Sequence, residues 1–189
     1  MLKFYFSPLT SSLATHIGLI ECGAEYELCP TLMAKQETRS PDYLAVNPNG
    51  KVPALVTDSG FVITEVAATL YYLARTYPDA ELWPVGDVES ETAVISWMSF
   101  TASTMHGARL GGPEQIAAAF EVANRKLGDS EWAVGQYSMA DIHLFRVFWR
   151  FHQQLDAKPG TYAALEAHRD RMLSRPSVQK AMEIENKYV

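Results

Sequence analysis

The chain has 189 residues, enough for one large domain or two small ones, and its 48% hydrophobic and 20% charged residues are ordinary for a protein that buries a core. The net charge is −6 and no cluster of lysine and arginine stands out, which argues against a nucleic-acid partner. The two cysteines lack metal-ligand spacing, the first residues lack a signal-peptide core, and no apolar run approaches the roughly 20 residues of a membrane span. We therefore expect a cytoplasmic protein with no metal and no membrane partner.

The first third of the chain alternates strand-like and helix-like segments. Alternating apolar residues predict a strand over residues 2–6. A run of N-capping residues at 10–12 and a stop at Gly23 predict a helix between them, and a second strand is predicted over 26–29. Together these segments predict a βαβ unit.

A short helix and a hairpin follow. Ser40-Pro41-Asp42 predicts the start of the helix, and Asn47-Pro48-Asn49-Gly50 predicts its end. The apolar runs 52–56 and 61–63 flank Asp58-Ser59-Gly60, which is typical of a β-hairpin. The next helix is predicted from an apolar stripe made of Val66, Leu70, Leu73 and Tyr77.

After Pro78 the pattern is wholly helical. One helix is predicted from an apolar stripe made of Ile95, Met98, Ala102 and Met105. The sharpest local signal is Ser138 followed three residues later by Asp141, a variant of the capping box that opens a helix. We predict two domains, an α/β domain over residues 1–78 and an all-helical domain over residues 85–189.

Five segments carry a resemblance to a known family. They are FSPLTSSL (6–13), SPDYLAVNPNGKVPAL (40–55), ITE (63–65), WMSFTASTMH (97–106) and YSMADIHLF (137–145). Together they resemble the cytosolic glutathione transferases, and most closely the bacterial beta class. The resemblance implies a thioredoxin-like N-terminal α/β domain with a mixed four-stranded sheet in βαβ–ββα order, followed by an all-α helical-bundle domain that contributes the acceptor pocket. It also implies glutathione as cosubstrate, a homodimer and a role in detoxification.

The same resemblance implies which residues bind glutathione. Val52-Pro53 matches the family's cis-proline junction, where the main chain of Val52 would pair with the cysteinyl backbone like an added strand; an ordinary trans proline is the alternative. Glu65 would bind the glutamyl amino group. The alternative is that its negative charge only interacts favourably with the dipole of the helix that follows. The N–H groups of 65 and 66 would meet the glutamyl carboxylate. Lys35 would meet the glycyl carboxylate, or be a solvated loop lysine. The full predicted set is Ser11, Lys35, Lys51, Val52, Pro53, Glu65, Val66, Ser103, Thr104 and His106.

Two residues are predicted to be catalytic. Ser11, at the start of the first helix, is expected to donate a hydrogen bond to the thiolate, with Ser12 as the alternative and one of the two serving only as a helix cap. His106 of the helical domain is the second, with a structural histidine as the alternative. In the beta class a cysteine usually stands at Ser11 and a tyrosine commonly at Phe6. Because serine cannot form a mixed disulfide, disulfide exchange at this position is disfavoured.

The function that we expect is conjugation of the glutathione thiolate to small hydrophobic electrophiles. Glutathione-dependent isomerisation, dehalogenation or ether cleavage would use the same thiolate. A ligand-binding or regulatory protein that has lost catalysis is the alternative from a different class. Val66, where many members carry serine, and the span of only 25 residues between His106 and Trp132 keep these alternatives open. The short span also predicts short helices and a more open acceptor pocket.

Overall fold

A computed structural model describes all residues from Met1 to Val189. The strands are β1 (Leu2–Phe6), β2 (Tyr26–Pro30), β3 (Ala54–Val56) and β4 (Val62–Thr64). The helices are α1 (Ser12–Glu21), α2 (Pro41–Val46), α3 (Val66–Thr76), α4 (Val88–Phe100), α5 (Pro113–Leu127), α6 (Met139–His152), α7 (Ala163–Leu173) and α8 (Pro176–Asn186). None of the helices is long and apolar enough to cross a bilayer.

The chain divides into two compact units. The first comprises Met1–Ala80 together with Pro176–Val189, and the second comprises Glu81–Arg175. The first unit is α/β and the second is all-helical. The fold class predicted from the sequence is therefore confirmed.

The first unit is built on a mixed sheet in the order β2-β1-β3-β4. Strand β1 pairs parallel with β2 and antiparallel with β3, which pairs antiparallel with β4. Phe4 and Phe6 point from β1 to the same face, as the period of two along a strand requires, and both are fully buried. They pack with the apolar face of α1, which buries Leu13 and Ile17.

The last helix belongs to this first unit, whereas the sequence predicted residues 85–189 as one helical domain. Val178 and Ala181 of α8 are fully buried. At the start of the helix, Ser177 donates a hydrogen bond of 2.5 Å to the carboxylate of Glu21, at the end of α1. The helical pattern predicted after Pro78 is correct for this segment, but a period of 3.6 residues does not reveal which partner covers the apolar face of a helix.

Glu185 makes the deepest polar contact of α8. Its carboxylate is fully buried, and one oxygen lies 2.9 Å from Nδ1 of His16 while the other accepts the N–H of Leu9 at 2.6 Å. Nε2 of His16 lies 3.0 Å from the hydroxyl of Tyr26. Leu9 has a φ of 55°, a conformation that non-glycine residues rarely adopt and that needs support from its surroundings. Glu185 thus fixes the turn that leads into α1.

In the second unit, helix α6 begins at the predicted capping box. The N–H of Ser138 donates to the Asp141 carboxylate at 2.9 Å, and the N–H of Ala140 donates to the Ser138 hydroxyl at 3.3 Å. The buried carboxylate of Asp141 also accepts the N–H of Ala133 at 2.8 Å and lies 3.0 Å from Nε2 of His168. One side chain therefore holds the start of α6, the preceding loop and α7 together.

The apolar stripe predicted for α4 is half right, because Met98 and Met105 are buried as predicted and the other two residues are not. Ile95 is 55% exposed and Ala102 is also exposed, while Val94 and Trp97 are buried. The buried face is centred between the predicted stripe and the one that precedes it by one residue, so that it includes the large indole of Trp97. The helix then continues as a π turn over Thr101–Met105.

Replacing Asp141 should destabilise the protein strongly. Asp141→Ala leaves the N–H groups of Ser138 and Ala133 and the ring of His168 without their buried acceptor, so we expect the free energy of unfolding in urea to fall by about 3 kcal/mol. The matched control is Asp170→Ala, whose carboxylate is exposed and pairs with Arg169, and which should cost less than about 0.5 kcal/mol. Equal losses in the two variants would contradict the role given to Asp141.

Glu185 should be equally important to the first unit. Glu185→Ala removes the acceptor of His16 and Leu9 from a fully buried position, and we expect a loss of about 3 kcal/mol in the free energy of unfolding. Glu183→Ala, on the same helix, removes only an exposed carboxylate 3.6 Å from Lys187 and should change stability by less than about 0.5 kcal/mol. A Glu185→Ala variant as stable as Glu183→Ala would show that the buried contact is not needed.

Candidate active site

The turn between β1 and α1 is held by its own hydroxyl groups. The Ser12 side chain is fully buried, donates to the carbonyl of Ser7 at 3.0 Å and accepts the Ser7 N–H at 3.2 Å. Thr10 adds a second hydroxyl bond to the Ser7 carbonyl at 2.8 Å. The Ser7 hydroxyl in turn accepts the N–H of Met33 at 3.0 Å. Ser12 is therefore placed as a structural residue, whose hydroxyl makes its hydrogen bonds within the turn.

Ser11 is placed differently. Its side chain is half-buried, makes no capping bond to helix α1, and donates its hydroxyl proton to the main-chain carbonyl of Val52 at 2.7 Å. Of the two serines that the sequence could not separate, only Ser11 is open to solvent. The structure brings together two predicted site residues that lie 41 positions apart.

The main chain around Val52 is fixed by two polar side chains. The Val52–Pro53 peptide bond is cis, as predicted. The carbonyl of Lys51 accepts both the hydroxyl of Tyr43 and the side-chain amide of Asn47, each at 2.6 Å. Burial raises the pKa of the Tyr43 phenol to about 12, so this donor keeps its proton at neutral pH. Strand β3 then begins at Ala54, which pairs with Tyr5 of β1.

Tyr43 and Asn47 hold the main chain of the candidate site, and sequence analysis did not single them out. Both lie in the segment that carries the family resemblance, but they were interpreted only as part of a short helix and of the turn that ends it. Asn47 also accepts the N–H of Asn49 at 3.1 Å, which closes the turn before Val52. The signal was present in the Asn-Pro-Asn-Gly sequence, because asparagine side chains commonly bond to the main chain two residues on.

Glu65 stands immediately before helix α3 in a rare backbone conformation. Its φ is 70° and its ψ is 132°, and its side chain is exposed. Residues held in such regions are concentrated at functional sites, because the surrounding structure must compensate their cost of roughly 1–3 kcal/mol. The N-terminal end of α3 that follows has free N–H groups suited to a carboxylate.

The starts of α1 and α3 are tied to each other through two threonines. The Thr69 hydroxyl donates to the carbonyl of Val66 at 2.8 Å and lies 2.7 Å from the Thr15 hydroxyl. Because Thr69 has one proton and uses it on Val66, Thr15 must be the donor of the second bond. This buried pair fixes the N-terminal end of α3 relative to helix α1.

The remaining predicted residues of the first unit are exposed lysines. Lys35 ends a short 3-10 turn over Met33–Lys35, and Lys51 precedes Val52 with its side chain in solvent. Both side chains are free to reach an anionic group by rotation. Their role in binding stays a prediction.

Three predicted residues lie at the π turn of the second unit. Ser103 and Thr104 are exposed, and the Ser103 hydroxyl donates to the carbonyl of Ser99 at 2.8 Å. His106 is half-buried, with its ring centroid 5.5 Å from that of Phe151. Short π-helical turns are frequent at functional sites, which agrees with the prediction that this segment contributes to the site. Trp97, Met105 and Phe148 of the same unit are buried packing residues.

Neither cysteine has the environment of a reactive thiol. Burial, and secondarily the charge of Glu21, raises the pKa of Cys22 to about 12. Burial also raises the pKa of Cys29 above its ordinary value. Because the thiolate is the nucleophile in disulfide exchange, both residues are poorly suited to that chemistry at neutral pH. No group of three or more histidine, cysteine, aspartate or glutamate side chains is arranged to hold a metal ion.

Comparison with known proteins identifies the two units. Residues 10–76 match the family model of the glutathione S-transferase N-terminal domain, and residues 110–176 match that of the C-terminal domain. The chain is 35% identical to the glutathione S-transferase GstA of Escherichia coli O157:H7, over 97% of this chain and 98% of that protein.

Solved structures agree with this relationship. A glutathione transferase homolog from Sulfitobacter with bound glutathione has a TM-score of 0.91 and 29% identity, over 97% of this chain and 98% of that one. A beta-class glutathione S-transferase from Sphingomonas chungbukensis has a TM-score of 0.88 and 33% identity, over 99% of this chain and 100% of that one.

The chain is shorter than its Escherichia coli relative. The alignment with GstA spans 201 positions, of which this chain fills about 183 (97% of 189), so about 18 positions face gaps in this chain.

Two more distant relatives have names that denote other activities. A maleylacetoacetate isomerase from Pseudomonas aeruginosa is 28% identical over 79% of this chain and 82% of that protein. The disulfide-bond oxidoreductase YfcG of Escherichia coli is 27% identical over 96% of this chain and 94% of that protein. Near-complete coverage by GstA, and the matches to both domain models, show that this chain belongs to the glutathione S-transferase family.

Proposed function

We propose that this protein binds glutathione in its first unit and joins the glutathione thiolate to small hydrophobic electrophiles. The observation that carries the proposal is the position of the Ser11 hydroxyl. It lies at the start of helix α1 and 2.7 Å from the carbonyl of Val52, beside the main chain on which the peptide is predicted to pair. A hydrogen-bond donor for the glutathione sulfur and a main-chain edge on which the peptide can pair are thus adjacent.

The peptide would be held mainly by main-chain groups. The N–H and C=O of Val52 pair with the cysteinyl residue like an added strand. The Glu65 carboxylate takes the glutamyl ammonium group, and the N–H groups of Glu65 and Val66 take the glutamyl carboxylate. Lys35 and Lys51 supply positive charge for the glycyl carboxylate. The exposed carboxylate of Glu65 supports this assignment, because it is free to meet a ligand.

Ser11 would lower the pKa of the bound thiol. A shift of ~2 pKa units requires about 2.7 kcal/mol of differential stabilisation. A hydrogen bond to a charged group contributes roughly 1.5–3 kcal/mol, and the N-terminal end of a helix adds about 0.3–1 kcal/mol. One hydroxyl at the start of α1 is therefore sufficient, and no tyrosine at Phe6 is required.

The chemical step is a nucleophilic substitution. The thiolate forms a bond from sulfur to an electrophilic carbon, the leaving group departs with its electron pair, and the protein supplies position and electrostatics. Ser103, Thr104 and His106 are the candidates for polar contacts to the sulfur or to the acceptor. The span of only 25 residues between His106 and Trp132 supports an open acceptor pocket. The protein would act as a homodimer in the cytoplasm.

The residue at position 11 and the environments of the two cysteines disfavour one of the related activities. Serine at position 11 and the raised pKa values of Cys22 and Cys29 disfavour disulfide-bond oxidoreduction. Isomerisation, dehalogenation or ether cleavage remain compatible with a bound thiolate. If glutathione binds and no electrophile in a broad panel reacts, the hypothesis of a non-catalytic carrier gains support.

Glutathione affinity should depend on Glu65. Glu65→Gln removes the charge that meets the glutamyl ammonium group, so we expect calorimetry to show about 10- to 100-fold weaker binding. Glu81→Gln is a matched control, because Glu81 is also an exposed glutamate with a positive φ, 53°, and belongs to the second unit. Unchanged affinity in Glu65→Gln, or equal losses in both variants, would contradict the proposed peptide site.

Conjugation should depend on Ser11 and not on Ser12. In a chlorodinitrobenzene assay we expect Ser11→Ala to lower kcat/KM by about 10- to 100-fold, because the thiolate loses a charge-assisted hydrogen bond. Ser12→Ala removes a buried hydroxyl of the turn, so its cost should appear in the unfolding midpoint while the folded enzyme keeps its turnover. The reverse pattern would transfer the catalytic role from Ser11 to Ser12.

A further inference from the structure

Two roles that belong to the proposed function meet at one carbonyl oxygen. The Val52 carbonyl is the predicted acceptor for the cysteinyl N–H of the peptide, and it already accepts the Ser11 hydroxyl at 2.7 Å. The Ser11 hydroxyl, in turn, has one proton. It cannot donate to the carbonyl and to the sulfur with that proton at the same time.

The direction of the Ser11 hydrogen bond decides its effect on the thiol. If the hydroxyl keeps its proton on Val52, its oxygen can only accept from the S–H group, which stabilises the neutral thiol and raises its pKa. If the hydroxyl turns to the sulfur, it donates to the thiolate and lowers the pKa. Activation of the thiol therefore requires Ser11 to leave the carbonyl.

The local structure permits this movement. The turn over residues 7–12 is held by Ser7, Thr10 and Ser12, and by the Glu185 carboxylate on the Leu9 N–H. The Ser11 side chain makes no bond to helix α1. A rotation about its χ1 angle breaks one neutral hydrogen bond and leaves the turn intact. A bond to a thiolate is charge-assisted and roughly twice as strong as the neutral bond that is given up.

We propose that the Val52 carbonyl acts as a latch for Ser11, which the cysteinyl N–H of an incoming peptide releases. The proposal rests on the proposed function. The N–H of the peptide donates to the Val52 carbonyl, whose oxygen then has two donors that weaken each other's hydrogen bonds. The Ser11 hydroxyl turns to the sulfur, where its bond to the thiolate is stronger, and the thiol loses its proton to water. No covalent bond other than S–H changes. The enzyme thereby selects thiols that have a main-chain N–H on the cysteinyl residue, and leaves simple alkyl thiols without activation.

The test compares thiols and thioethers on the wild type and on Ser11→Ala. S-methylglutathione has no thiol proton, so it reports peptide anchoring alone. Without a hydroxyl competing for the carbonyl, Ser11→Ala should bind S-methylglutathione about two- to tenfold more tightly by calorimetry. In the same variant, the pKa of bound glutathione, followed by thiolate absorbance, should rise towards that of the free peptide. Ser11→Thr keeps a hydroxyl and should restore both wild-type values.

A modified peptide isolates the latch itself. Glutathione methylated on the cysteinyl nitrogen has the thiol but lacks the N–H, so at saturation its bound thiol pKa should stay near that of the free peptide on the wild type. A pKa lowered as far as that of glutathione would overturn the proposal, as would weaker or equal binding of S-methylglutathione by Ser11→Ala. A wild-type protein that binds neither glutathione nor S-methylglutathione would instead refute the proposed function on which the latch rests.

Discussion

The candidate site depends on the way the protein holds the main chain at residues 51–53. Tyr43 and Asn47 both donate to the carbonyl of Lys51, and Ser11 donates to the carbonyl of Val52. Two residues later, β3 joins the sheet beside β1. A peptide that binds by main-chain pairing needs a partner whose N–H and C=O groups are already oriented, because ordering them on binding would cost affinity. These few side chains provide that orientation.

The second half of the site is fixed from the other end of the chain. The turn that carries Ser11 is supported by Glu185, a buried carboxylate on the last helix, through the N–H of Leu9 and the ring of His16. Thr15 and Thr69 connect helix α1 to the helix that follows Glu65. The hydroxyl, the Val52 carbonyl and the start of α3 therefore belong to one cooperative unit, in which changes far from Ser11 can alter its position.

Local patterns predicted most of this fold. Alternating residues predicted β1, apolar runs on either side of a turn predicted β3 and β4, and Ser138 with Asp141 predicted the start of α6. The family resemblance around Val52-Pro53 implied the peptide edge. Contacts between distant residues were not predictable, because nothing in the periodicity of α8 connects Glu185 to His16 169 positions earlier. The stripe of α4 was only half right for a related reason: neighbouring helical faces fit the sequence, and packing around Trp97 decides how the helix is rotated. The sequence favoured Ser11 over Ser12 as the sulfur donor, and the tertiary structure supports that preference, because it buries Ser12 and leaves Ser11 half-exposed.

We propose that the main chain of Val52 and the hydroxyl of Ser11 form one site for a peptide thiol. The sharpest test is a crystal structure of the protein with glutathione. We expect the cysteinyl residue to pair with the N–H and C=O of Val52, and the Ser11 oxygen to lie about 3 Å from the sulfur. A structure in which the sulfur contacts another group while Ser11 remains bonded to Val52 would contradict the account.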